Sequence, residues 1–264
     1  MTHYFVICAY GESPYLQACI DSLNAQTEKS PVLLCTATPS ERLARLAEEN
    51  GFTYCVNDDQ PNIAGDWNFG LRMAKEHGAD YATICHQDDL YLPDYGKALR
   101  EAVALDPDLL IFFSDYGEQR GDEAVTKNVN LTIKRILLWR MRVRAWQTSP
   151  FMKHRTLALG DAISCPAVSF NLNRIPMPLF ERGMTTNLDW NAWEKLAKLP
   201  GRFHWDTRVL MLHRIHAEST TSKVISKDGS RAAQDYELLR RFWPAPVAKV
   251  ITKVYGLSEK SNQL

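Results

Sequence analysis

Five short apolar runs set the first 115 residues: Tyr4–Ala9 (YFVICA), Pro31–Cys35 (PVLLC), Phe52–Val56 (FTYCV), Tyr81–Cys85 (YATIC) and Leu109–Phe113 (LLIFF). Each has the length of a strand, and each is apolar almost throughout, as a strand covered on both faces must be. Helical spacing fills the gaps between them. Leu16, Cys19, Ile20 and Leu23 fall at i, i+3, i+4 and i+7. Leu43, Leu46 and Ala47 mark a second helix that stops at Asn50-Gly51, and Leu71 and Ala74 a third that stops at Gly78. A fourth starts at Pro93. Ser13 with Pro14, Ser40 and Asp66 are the expected starts of the first three. Strands alternating with helices predict an α/β fold, a mostly parallel central sheet with helices on both faces.

In such a sheet the ligand crevice opens beyond the carboxyl ends of the strands. Three polar clusters stand there: Tyr10-Gly11-Glu12, Asn57-Asp58-Asp59, and the sequence HQDD, His86 to Asp89. The adjacent carboxylates of Asp88 and Asp89 repel one another. They suit a solvated turn, a cap for the turn at LYLPDY, or a hard divalent cation that prefers carboxylate oxygen. The chain has neither the glycine-lysine phosphate loop nor the dinucleotide fingerprint. A nucleotide would therefore need another means of holding its phosphates.

Lys+Arg and Asp+Glu balance at 31 each, so no global charge favours nucleic acid. The six cysteines form no C-x-x-C pair, and four lie in strand-like runs. They read as buried free thiols of a reducing compartment. The N-terminus lacks the basic and apolar regions of a signal peptide, and no segment reaches the roughly 20 apolar residues of a membrane span. The expected location is cytoplasmic.

The second half is less regular. Ser164–Asn171 and Val209–Arg214 read as strands, Leu188–Leu199 and Ser230–Phe242 as helices. Leu131–Arg155 is dense in Lys and Arg and carries Trp139 and Trp146. It suits a solvated helix face, a peripheral contact with an anionic membrane, or a site for a phosphorylated lipid-linked partner. The period-two spacing of WRMRVRAW also permits a strand.

Three stretches together resemble inverting family 2 glycosyltransferases of the GT-A fold. YFVICAYGESPYLQACIDSLNAQT resembles the family's first strand and helix. NIAGDWNFGLRMAKEHGADYATICHQDD resembles its Asn-x-Gly helix, next strand and D-x-D-type motif. NLDWNAWEKLAKLPGRFHWDTRVLMLHRIHAESTTS resembles its acceptor side. The similarity runs from Tyr4 to Ser222. It implies a nucleotide-sugar-binding half, residues 1–115, and an acceptor-binding half with C-terminal helices, residues 116–264, within one domain.

The resemblance also implies roles. Ala9, Tyr10 and Glu12 match positions that hold the nucleotide base and ribose, and Asn68 one beside the sugar nucleotide. His86, Gln87, Asp89 and Arg214 match the donor side. Asp88 and His216 match the metal side, with Mn2+ or Mg2+ as cofactor. Asp189 matches the catalytic base, and free N–H groups at a helix start would keep its carboxylate ionised; Asn187 serves equally as that helix's cap. Trp190 and Trp193 suit either acceptor stacking or the core. The implied activity moves a sugar, with inversion, from a nucleoside diphosphate sugar to a glycan or lipid-linked acceptor. Its implied setting is bacterial surface polysaccharide or lipopolysaccharide synthesis at the inner face of the cytoplasmic membrane. Two departures stand out. Thr36 and Thr38 occupy the region where the family has an acid after its second strand, and His86 replaces the first acid of the usual motif. A sugar nucleotidyltransferase and a catalytically impaired sugar-binding protein are the alternatives. The former needs basic residues after the first strand, which AYGESPY lacks.

Overall fold

Four parallel strands carry the first half of the chain. In the computed structural model, which describes residues 1–59, 61–216 and 230–260, they are β1 (His3–Ala9), β2 (Val32–Thr36), β3 (Thr53–Val56) and β4 (Tyr81–His86), side by side in the order β3-β2-β1-β4. Helices α1 (Leu16–Asn24), α2 (Glu41–Glu49), α3 (Ile63–Glu76) and α4 (Tyr95–Leu105) link or follow them. Every residue of β2 is buried, and β1 and β4 nearly so, which is why these runs show no polar alternation.

The helix starts divide by mechanism. Ser40 caps α2 as expected, its hydroxyl accepting from the Leu43 N–H at 3.2 Å. Asp66 does not cap α3. Asn62 does, accepting from the Gly65 N–H at 3.0 Å, so α3 starts one turn earlier. Ser13 spends its hydroxyl on the Tyr15 N–H, a local turn that delays α1 to Leu16. α4 likewise starts at Tyr95, two residues past Pro93.

The second half completes the same sheet. β6 (Leu109–Arg120) crosses the expected boundary at residue 115. β8 (Val168–Asn171) lies between β4 and β6, antiparallel to both. β9 (Arg202–Ile215) runs parallel to β6, and the two-residue β5 (Leu90–Tyr91) pairs antiparallel with β9. β7 (Glu123–Val125) folds back on β6. The sheet is therefore parallel on one side and mixed on the other. The expected strand at Ser164 begins only at Val168, because Pro166 lies in a 3₁₀ turn (Cys165–Ala167). The strand expected at Val209 begins seven residues earlier, in a stretch where Phe203 and Trp205 are buried between polar neighbours.

Leu131–Arg155 is not a strand. It forms α5 (Val129–Leu137), two 3₁₀ turns (Leu138–Arg142 and Arg144–Trp146) and the start of α6 (Pro150–Leu157). α7 (Leu188–Ala197), α8 (Ser230–Leu239) and α9 (Ala245–Lys260) follow. The Ser/Thr run after His216 lies outside the described residues.

The contact between α3 and β1 depends on a missing side chain. A Cβ on Gly70 would lie 2.7 Å from Val6 Cγ1, inside a fully buried layer. Gly70→Ala is expected to destabilise the fold by about 1–3 kcal/mol, read as a lower urea midpoint at unchanged slope.

Candidate active site

The turn after β4 holds the two aspartates, and β9 decides which way each points. Pairing of Leu90 with Leu212 and of Tyr91 with Met211 carries residues 213–216 past that turn. Asp89 faces inward and is wholly buried. Its Oδ1 accepts from His213 Nδ1 at 2.9 Å and from the Arg214 backbone N–H at 2.8 Å. Burial alone would push this carboxyl up. The charge and hydrogen bond of His213, with His86 and the Arg214 N–H, outweigh that and hold it below the usual carboxylate range. Burial likewise works to lower the His213 pKa, and Asp89 more than offsets it, so the imidazole is raised. Asp88 points outward. Its Oδ2 accepts from His216 Nε2 at 2.8 Å, while its backbone carbonyl accepts from Arg214 Nε at 2.8 Å.

A cleft of about 990 Å³ opens above this turn. It brings together Ala9, Tyr10, Glu12, His86, Gln87, Asp88, Asp189 and His216 from the ends of β1 and β4 and the turns after them, from α7 and from just past β9. Tyr10 lines the cleft and is 61% exposed, while its backbone is fixed. Gln87 clamps it, accepting from the Tyr10 N–H at 3.1 Å and donating to the Tyr10 carbonyl at 3.0 Å. Gly11 adopts a left-handed φ of 57° and donates its N–H to Thr38 Oγ1 at 2.7 Å. Thr38 thus braces this loop, where the resemblance implied an acid for the nucleotide. Glu12 is exposed, 3.8 Å from Arg42.

Three expected donor residues do not line the cleft. Asp89 is buried, its Oδ1 held by His213 and its Oδ2 3.6 Å from His86 Nδ1. Arg214 lies over the Tyr15 ring at 4.6 Å, its Nε already committed to Asp88. Asn68 holds a loop: its Nδ2 donates to the Phe180 carbonyl at 2.8 Å, and its Oδ1 accepts from the Leu179 and Phe180 N–H groups at 2.9 Å each. Trp190 and Trp193 are completely buried, so neither stacks on an acceptor sugar.

The side chains fit a divalent cation. His86, Asp88 and Asp89 each offer one ligand atom, all within 4.8 Å of one another. His86 stacks on Trp67, with ring centres 5.1 Å apart and planes at 11°, and its Nε2 has no hydrogen-bond partner. Asp89 Oδ2 is also without one. One outward carboxylate with imidazole neighbours suits a metal that keeps water and phosphate oxygens as its other ligands.

The second carboxyl centre lies across the cleft lining. Asp189 sits in the first turn of α7, after Asn187 in the left-handed region at φ 56°. Its Oδ1 accepts from the Trp190 N–H at 2.9 Å. Asn187 forms no side-chain cap and donates instead to Asp235. Asp161 lies within side-chain hydrogen-bonding reach of Asp189. Burial first, and the charge of Asp189 second, push its carboxyl well above the usual range, against the pull of Lys134. Asp161, Lys134 and His213 line the cleft but were not anticipated from sequence. Nothing local in GDAIS marks Asp161; only the folded chain brings it to Asp189.

Residues 4–171 match the family described as glycosyl transferase family 2. The chain belongs to that family, and its sheet has the GT-A arrangement. No curated protein matches it by sequence. Similar solved structures share its fold at low identity. S. aureus TarS residues 1–349 in complex with UDP-GlcNAc aligns with a TM-score of 0.58 and 13% identity, covering 96% of this chain and 70% of that one. The mannosyltransferase PcManGT from Pyrobaculum calidifontis, in complex with GDP-Man and Mn2+, gives 0.59 and 14%, covering 96% and 68%. Against the longer S. aureus TarS chain this protein spans only 43% of the length, with a TM-score of 0.55 and 12% identity over 92% of its own.

The loop-holding geometry of Asn68 gives a test. Asn68→Ala leaves the Leu179 and Phe180 backbone groups without their partner and is expected to cost about 1–3 kcal/mol, measured by denaturant unfolding. An unchanged midpoint would contradict the structural role.

Proposed function

We propose that this protein transfers a sugar from a nucleoside diphosphate donor to a glycan or lipid-linked acceptor by one displacement, with inversion at the anomeric carbon. The observation that carries the reading is one cleft lined by two separate carboxyl centres, Asp88 with its imidazoles and Asp189 at a helix start. Asp189 takes the acceptor hydroxyl proton as that oxygen bonds to the anomeric carbon and the bond to the diphosphate breaks. The exposed Tyr10 ring suits stacking on the nucleotide base, and Glu12 can accept from the ribose hydroxyls. The Gln87 clamp keeps that wall in place before the donor arrives. Asp88 and His216, with His86 beside them, would hold Mn2+ or Mg2+, which supplies positive charge to the departing diphosphate. The setting proposed is bacterial surface polysaccharide or lipopolysaccharide assembly.

A sugar-binding protein without transfer is the second reading. It draws on the sealed Asp89 and on His86 in place of an acid. Asp189→Asn decides between them. With Mn2+, a nucleoside diphosphate sugar and acceptor, it is expected to lower nucleoside diphosphate release about 10²–10⁴-fold while calorimetry still records donor binding. Undiminished release would remove Asp189 as the base, and no release from the unaltered protein with any donor would favour simple binding.

We also propose that α5 meets the membrane face where a lipid-linked acceptor resides. Val129, Ile133 and Ile136 recur at i, i+4 and i+7 and are 74%, 46% and 61% exposed. Trp139 follows, with Arg140 over its ring at 4.9 Å, and Lys127, Arg142 and Arg144 are exposed alongside. This is the apolar-plus-basic surface that suits an anionic interface. Lys134 on the same helix lines the cleft, which supports a reaction close to that surface. Among the described residues no helix is long and apolar enough to cross a membrane. Ile133→Glu with Ile136→Glu is expected to abolish co-sedimentation with phosphatidylglycerol vesicles; binding equal to the unaltered protein would exclude this contact.

A further inference from the structure

We infer that Asp161 is a positioning residue for the base, and that its carboxyl donates a hydrogen bond to Asp189 and fixes which oxygen of Asp189 meets the acceptor. The inference rests on the reading of Asp189 as base. Its geometry does not. Trp190 and Trp193, neighbours on α7, both donate their indole N–H groups to one segment of chain: Trp190 Nε1 to the Leu157 carbonyl at 3.0 Å, and Trp193 Nε1 to the Ile163 carbonyl at 3.3 Å. These acceptors lie on either side of Asp161 in sequence. Both indoles are completely buried, so the start of α7 is tied to the segment that carries Asp161. The two carboxyls cannot part without breaking buried hydrogen bonds.

Each carboxyl also has one oxygen held by the backbone. The Ile163 N–H donates to Asp161 Oδ1 at 3.2 Å, and the Trp190 N–H to Asp189 Oδ1 at 2.9 Å. Two carboxylates this close cannot both stay ionised without a large cost, so one keeps a proton. The surrounding groups decide which. Burial first, and then the charge of Asp189, hold the Asp161 carboxyl well above the usual carboxylate range. Lys134 from α5 opposes this, and the Cys165 thiol beside the pair is itself pushed up, so it adds no negative charge. The neutral carboxyl is then Asp161, a donor aimed at an ionised Asp189.

The protons balance. The acceptor hydroxyl proton passes to Asp189, and the Asp161 proton stays where it is. Asp189 returns its proton to solvent after product leaves. The sign of the pH effect follows. Asp161 works in its protonated form, present below its raised pKa. As pH climbs through that pKa the hydrogen bond gives way to repulsion between two carboxylates, and transfer falls.

The test compares kcat, KM and nucleoside diphosphate affinity over pH for the unaltered protein, Asp161→Asn, Asp161→Ala and Asp189→Asn. The Asn amide keeps an N–H donor of the same shape; Ala has none. Asp161→Ala is expected to lower kcat about 10- to 100-fold with donor affinity retained. Asp161→Asn is expected to recover most of that loss and to lack the alkaline fall of the unaltered protein. Equal impairment of the two Asp161 variants, or an alkaline fall that persists in Asp161→Asn, would overturn the positioning role. Full activity in Asp189→Asn would instead overturn the base itself, so the two failures are separable. Thermal unfolding of Asp161→Asn near that of the unaltered protein separates positioning from misfolding.

Discussion

The cleft depends on one buried ion pair. Asp89 has no contact with water, and its charge survives there because His213, His86 and the Arg214 N–H meet it. That pair ties the turn after β4 to the end of β9, across more than a hundred residues of sequence. It also orients the neighbouring side chain. With Asp89 turned into the protein, Asp88 must turn out, toward His216 and the cleft. Removing either partner would leave an uncompensated charge in the interior, so the turn and the end of β9 stand or fall together. The two adjacent carboxylates of the sequence thus avoid repelling one another by division of labour: one braces the turn, the other faces the cleft.

The parallel half of the sheet was legible because its strands are covered on both faces. Continuous apolar runs and helical spacing fix the order strand, helix, strand without knowledge of any partner. The polar clusters at the strand ends were legible for the same reason, since the fold class dictates where they lie. What stayed hidden depends on partners distant in sequence. Asn68 has the look of a surface amide on a helix, yet its three hydrogen bonds all go to residues 179 and 180. Asp89 looks like the equal of Asp88 until β9 supplies His213. The apolar run at Val209 marks only the end of β9, because its first residues alternate with charges such as Arg202, Asp206 and Arg208. The helix starts erred for a smaller reason. Ser13 and Asn62 both have capping side chains, and which one caps is settled by local backbone geometry rather than residue type.

The two tryptophans of α7 show how a plausible contact can be inverted. Aromatic residues beside a carboxylate at a cleft invite a role against sugar. Both are instead buried, and their influence on the cleft is indirect. They anchor the helix that presents Asp189, and they do so by hydrogen bonds to the segment that presents Asp161. The preceding Asn187 holds a backbone conformation that non-glycine residues adopt at a cost, on the lip of the same cleft.

The unbroken sheet also limits how this molecule can admit and release its substrates. Many enzymes that enclose a donor do so by swinging two lobes about a hinge. Here β8 hydrogen-bonds to β4 on one side and to β6 on the other, and β6 runs on beside β9. Swinging one half against the other would shear those ladders. Entry and exit must instead fall to the loops and side chains at the rim. The motions such a sheet allows are small local displacements at that rim rather than the travel of a whole lobe.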